Sequence, residues 1–142
     1  MRQTATATHR IAESSGGCFH YAEITVIVWQ SDNDSSVTLS PDVFSWLKDL
    51  YGANAWEWPA CETYRAASIS GANYAIKNIN DKAMGYFRVE ITRIHAVVVD
   101  TTWDSVAMAT CFAVWKALDF KGENIPYWNG RRAHFPVGGM SL

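Results

Sequence analysis

Residues 84–118, MGYFRVEITRIHAVVVDTTWDSVAMATCFAVWKAL, decide the fold. From Phe87 the apolar Phe87, Val89 and Ile91 alternate with Arg88, Glu90 and Thr92, the period-two pattern of a strand with one buried face. The phase then slips, because Ile94, Ala96 and Val98 form a second apolar set out of step with the first. A bulge or a very tight hairpin therefore belongs near Arg93 to His95. Asp100-Thr101-Thr102-Trp103-Asp104 follows as a helix start, with Thr101 as the cap and Asp104 three residues later. The helix from about Trp103 to Phe120 is apolar nearly all round, through Val106, Met108, Cys111, Phe112, Val114, Trp115 and Leu118. Such a helix has to be buried on two sides.

Upstream, residues 60–79 predict a second long helix with Tyr64, Ala67, Ser68, Gly71, Ala72 and Ala75 as a small-residue face for another helix, ended by Asn80-Asp81-Lys82. Residues 52–59, GANAWEWP, read as an irregular connector. Ser40-Pro41-Asp42 supplies an N-cap, a first-position proline and an acid for a short helix to about Tyr51, with Val43, Phe44, Trp46, Leu47 and Leu50 as its apolar stripe. Residues 2–13 alternate as an edge strand, and 18–30, CFHYAEITVIVWQ, form the best strand of the chain, joined to it by a Gly-Gly hairpin. Residues 37–39 are a further short strand, and the segment from 126, with Pro126, Pro136 and Gly138-Gly139, reads as loop, ordered at most at Tyr127-Trp128. Two main helices on one face of a four-stranded, mostly antiparallel sheet make an α+β sandwich of two layers. Residues 1–125 form the domain, with an insertion at about 31–58, and 126–142 a C-terminal tail.

The chain has 142 residues, 49% of them hydrophobic and 18% charged, enough for one core and unlike a disordered segment. Its formal net charge of -2 gives no global field for nucleic acid or an anionic membrane, so any RNA contact has to rest on a local patch. No apolar run approaches the roughly 20 residues of a membrane span, and no apolar leader follows Met1, which places the protein in the cytoplasm. Cys18, Cys61 and Cys111 are an odd number without CxxC spacing, as expected of reduced thiols.

Little of this is catalytic. There is no GxGxxG and no Walker-type loop, Gly16-Gly17 reads as a turn, and the four histidines have no metal-site spacing, so no cofactor or metal is expected. His9 and His20 would lie on paired strands, and Cys18, His20 and Asp100 make a nucleophilic set only of the kind that chance supplies in any such chain. Residues 127–135, YWNGRRAHF, interleave aromatics with Arg131 and Arg132, which suits base stacking and phosphate contact, or equally a turn whose aromatics pack back on the domain. Between Asp32 and Glu62 the chain is acidic, with Lys48 the one basic residue before Arg65. If the two ends of the chain meet, the domain has a basic end and an acidic end. Of the seven tryptophans, Trp29, Trp46, Trp103 and Trp115 have core positions, whereas Trp56, Trp58 and Trp128 lie in the added segments and are candidates for a partner interface.

The stretch RIAESSGGCFHYAEITVIV at 10–28 resembles the start of domain IV of translation elongation factor G and of the ribosome-protection proteins, where a strand runs into a Gly-Gly loop and out through a Tyr or Phe. Residues 84–118 resemble the same family's Gly-aromatic strand, a following strand ending in Val-Asp-Ser-Ser, here Val99-Asp100-Thr101-Thr102, and a long alanine-rich helix. Residues 60–76 stand where the family has the helix after its Ile-Pro segment, with Trp58-Pro59 as the remnant. The resemblance implies the fold shared with the second domain of a small-subunit ribosomal protein, with a left-handed βαβ crossover, and no GTPase domain. It also implies a ribosome- or RNA-binding tip, carried onto Ser14, Ser15, Gly16, Gly17, Cys18, Phe19 and His20, with Arg10, Arg131 and Arg132 as auxiliary phosphate contacts. The family loop has a basic residue after Gly-Gly and then Gly-Gln, where this chain has Cys18, Phe19 and His20, and the second hairpin is shortened to Arg93-Ile94-His95. The expected function is a non-catalytic module for ribosomal or other RNA. The alternative is a protein-interaction or self-associating module without an RNA role.

Overall fold

The structure, a computed structural model, describes residues 4–52, 54–79, 85–119 and 122–136, the side chain of Trp56 excepted. The chain runs β1 (Thr4–Ser15), β2 (Cys18–Ser31), β3 (Ser36–Leu39), α1 (Ser45–Tyr51), a 3-10 turn (Ala55–Glu57), α2 (Pro59–Lys77), β4 (Tyr86–His95), α3 (Trp103–Ala117), β5 (Tyr127–Asn129) and β6 (Arg132–His134). The fold is α+β: a four-stranded mixed sheet in the order β1-β2-β4-β3, antiparallel except for the β3–β4 pair, carries α2 and α3 as the main helices of a second layer.

The phase slip in the deciding stretch is a bulge. Thr25 pairs with Arg93 but Val26 pairs with Ile91, so Thr92 is the extra residue on β4, and its hydroxyl donates to the Thr25 carbonyl. The bulge lets Phe87, Val89, Ile91 and Ile94 all reach the core although their spacing changes. No strand follows it: β4 ends at His95, residues 98–100 turn, and Val98 and Val99 are exposed. The fourth strand is instead Ser36–Leu39, which pairs in parallel with the same β4. The acidic insertion therefore contributes to the sheet rather than standing outside it.

The helices follow their patterns with shifted ends. Residues 41–44 are a turn, so α1 starts at Ser45; Val43, Phe44 and Leu47 are buried, but Leu50 faces solvent. All six small-face residues predicted for α2 are buried, and a Cβ on Gly71 would overlap the Ala107 backbone, so α2 and α3 touch main chain to main chain. The predicted helix stop at 80–82 lies outside the described residues. The cap of α3 is Thr102, in a capping box with Ser105, one residue later than expected. Thr101 is buried and serves the sheet: its hydroxyl accepts from Val97 N and donates to the Tyr21 carbonyl. Eleven buried residues between Asp104 and Trp115 make α3 the centre of the core, against β1, β2 and α2.

Candidate functional site

Two segments far apart in sequence meet at the β1–β2 turn. Gly16 and Gly17 both have left-handed φ (62° and 80°), as a two-residue hairpin turn between right-twisted strands requires. Against this tip lies a second hairpin, β5–β6, turned by Gly130-Arg131. The tail is thus ordered beyond Tyr127-Trp128, and Asn129-Gly130 between aromatic residues was its hairpin signal in the sequence.

The docking is specific. Ser15 Oγ donates to the Gly130 carbonyl at 2.6 Å, and Arg131 Nε donates to the Gly16 carbonyl at 2.9 Å. A Cβ on Gly16 would overlap the Gly130 and Arg131 backbone, so glycine is needed there for space as well as for φ. Trp128 stacks on His20 with centroids 3.9 Å apart and donates from Nε1 to Glu13. His20 is buried and donates from Nε2 to the Ser15 carbonyl. Asp104, 3% exposed in the first turn of α3, accepts from Arg132 Nε at 2.7 Å and from the amide of Ala133 at 2.8 Å. In the sequence Asp104 reads only as a helix-start acid, because its partners lie 28 and 29 residues downstream.

Of the residues predicted for the tip, Ser14, Gly16, Gly17 and Phe19 are exposed, Ser15 and Cys18 half-buried, and His20 enclosed by Trp128. Arg131 joins them. Arg132 is held by Asp104 with its side chain 60% exposed, and Arg10 lies over the Tyr21 ring, 5.4 Å from its centroid. Tyr127, also exposed, stands beside His134. The tip surface thus carries the exposed Phe19 ring and the Arg131 guanidinium, with Glu13 already bonded to Trp128, while Tyr127 is exposed at the other end of the β5–β6 hairpin.

The structure does not bring His9 and His20 together. His9 packs on Phe112 and pairs across to Ile24, whereas His20 pairs with Glu13, so the two histidines have separate surroundings. Burial, with Lys116 adding to it, lowers the His9 pKa from its ordinary 6.5. No group of three or more His, Cys, Asp or Glu fit for a metal occurs among the described residues. Cys111 is fully buried, which pushes its thiol pKa far up. Missed in the sequence was the pair Tyr21–His95, whose hydroxyl and Nδ1 share a hydrogen bond of 2.7 Å beside the Trp46 ring. Burial lowers the His95 pKa, helped by Arg93, and raises that of Tyr21, helped by Glu23. Trp58, 39% exposed, lies against Tyr51 and shares a wall with Val98, apart from the His20 stack of Trp128. The Trp56 side chain lies outside the description.

No protein-family profile and no curated protein sequence matches the chain. Among solved structures it is similar to a crystal structure of a protein from Thermus thermophilus, at a TM-score of 0.59 and 14% sequence identity. The likeness is one of fold. It covers 82% of this chain and 16% of the other, so the chain spans about a sixth of that protein's length. Among the described residues, no helix is long and apolar enough to cross a membrane.

Proposed function

We propose that the protein is a non-catalytic binding module that presents the joined tips of β1–β2 and β5–β6 to a ribosomal or other RNA surface. The observation that carries this reading is the delivery of Arg131 to the Gly-Gly turn, where its Nε holds the Gly16 carbonyl. The family that the sequence resembles has a basic residue in its own loop, and this chain has Cys18 there; a guanidinium brought from the tail restores positive charge to the same place. Phe19 at the tip, and Tyr127 farther along the β5–β6 hairpin, supply exposed rings on which unpaired bases stack, at about 1–3 kcal/mol per base. Arg132 keeps most of its side chain in solvent while bonded to Asp104, so it adds a weaker attraction. Action in the cytoplasm belongs to the same reading.

The test is fluorescence anisotropy of a labelled single-stranded RNA against the full chain. Arg131→Ala and Phe19→Ala are each expected to weaken binding by about 1–2 kcal/mol. Binding unchanged in both variants would overturn the reading.

A second reading has its own support. Trp58, Tyr51, Leu50 and Val98 are exposed around the insertion, which suits a protein partner or a second copy of the chain. Light scattering that shows a dimer lost on Trp58→Ala, with no RNA bound, favours it over the first.

A further inference from the structure

We propose that the exposed apolar face formed by Tyr51, Trp58 and Val98 docks an amphipathic helix of another protein, one whose flanking side chains are basic. Tyr51 is 63% exposed, Trp58 39% and Val98 57%. They come from three separate places in the chain, the end of α1, the N-cap of α2 and the turn after β4, and the fold joins them. The Tyr51 and Trp58 rings lie 5.3 Å apart, and Trp58 and Val98 line one wall. Leu50, Val97 and Val99 continue the same segments and are exposed as well. Apolar groups gathered in this way mark a contact surface, unlike single apolar residues scattered over an exterior. The space that Trp58 and Val98 help to line is only about 10 Å³, too small for a ligand, so the face receives another surface and not a small molecule.

No strand edge is offered here. β4 ends at His95, and the Val97 carbonyl accepts from the amides of Asp100 and Thr101, so a partner meets side chains and not a row of free backbone groups. The element that presents apolar side chains while satisfying its own backbone is an α-helix. The charges around the face choose among helices. Asp49 precedes Leu50 and Glu57 precedes Trp58; both carboxylates are exposed, and neither is in an ion pair among the described residues. Of the two cations closest in sequence, Arg65 is paired with Glu62, and Lys48, half-buried, lines a groove with Ser40 and Pro41. An acidic rim repels an anionic membrane, and it repels a second copy of the chain, because a two-fold contact sets one acidic rim against the other. It complements lysine and arginine. This inference rests on the reading of the surface as a protein contact and is independent of the RNA reading of the tip.

Fluorescence anisotropy of a labelled leucine–lysine peptide against the full chain tests the proposal. The peptide is about 18 residues long, with leucine at i, i+3, i+4 and i+7, and its control carries glutamate in place of lysine. The leucine–lysine peptide is expected to saturate one site with a Kd of about 10–100 μM, and the leucine–glutamate peptide to bind at least about tenfold more weakly. Val98→Ser, and Asp49→Lys combined with Glu57→Lys, are each expected to weaken the leucine–lysine peptide by about tenfold. All three positions are exposed, so these changes leave the core untouched, and the Val97, Val98 and Val99 methyl chemical shifts of the unaltered protein report the contact directly. The proposal is overturned if no saturable binding occurs up to about 1 mM, if the leucine–glutamate peptide binds as tightly, or if the charge-reversed variant binds unchanged. A dimer seen by light scattering and lost on Val98→Ser overturns the basic helix as occupant but keeps the surface as a protein contact, whereas a monomer that binds neither peptide removes both.

Discussion

Asp104 shows how much one residue can settle. It is buried, sits at the start of the central helix, and spends one carboxylate oxygen on both the side chain of Arg132 and the backbone of β6. Removing it would take the acceptor from the Ala133 amide and the ion-pair partner from Arg132, whose exposed guanidinium water can solvate. The cysteines separate as sharply. Cys111 is shut away from water inside α3, and burial raises its thiol pKa; burial also raises that of Cys61. Cys18 alone is partly exposed. A thiol reagent at neutral pH is therefore expected to modify Cys18 first in the folded protein, with Cys61 and Cys111 reacting only on denaturation; equal reaction of all three would contradict this burial. The histidines give a pH dependence. His9 and His95 are both lowered by burial, His9 further by Lys116 and His95 further by Arg93, against the raising influence of Glu13 and Glu23 respectively. In the window between the folded values and 6.5 the unfolded chain binds more protons than the native one, so their contribution to stability is complete above 6.5 and is lost as pH falls through that window. Urea unfolding from about pH 7.5 down to about pH 5.5 should show decreasing stability, with a shallower fall in His9→Gln.

Among the elements, those with a strong local period were legible. The strands at 18–30 and from Phe87, the small-residue face of α2 and the all-apolar α3 follow from spacing, since each period is imposed by where side chains point. What failed were features decided by partners distant in sequence. The apolar Val97-Val98-Val99 looks like strand but finds no neighbour to pair with, and it turns into α3 through the Asp100 and Thr101 amides, both donating to the Val97 carbonyl. The short strand read at 37–39 did form, as Ser36–Leu39, but its parallel pairing with the edge of β4 is a long-range feature that its own residues do not state. The β5–β6 hairpin has three residues per strand and is held by the tip, not by its own ladder. The main-chain contact of α2 with α3 yields a sharper prediction. Gly71→Ala places a methyl group against the Ala107 carbonyl, and although alanine favours helix, the overlap should cost about 1–3 kcal/mol. Thermal unfolding reads this, and a stabilised Gly71→Ala would mean that the helices stand farther apart.

For the molecule as a whole, the candidate site was half legible. The Gly-Gly turn and the aromatic-basic stretch at 127–135 each stood out, but their meeting depends also on Glu13 and Asp104, whose partners lie far along the chain and which do not mark themselves in one dimension. The fold also separated the tryptophans: Trp128 is spent on His20, whereas Trp58 remains at the surface of the insertion. The resulting molecule has an overall charge of -2, with the Arg131 guanidinium set where the two hairpins join. Attraction of RNA to such a molecule has to be local, of modest strength and sensitive to salt. The most direct measurement is co-sedimentation of the full chain with small ribosomal subunits across a potassium chloride series. Binding is expected at low salt, its logarithm falling against the logarithm of salt with a slope of about -1 to -2, as for one or two phosphates contacted by Arg131 and Arg132. Absence of binding at the lowest salt, or binding indifferent to salt, would contradict it.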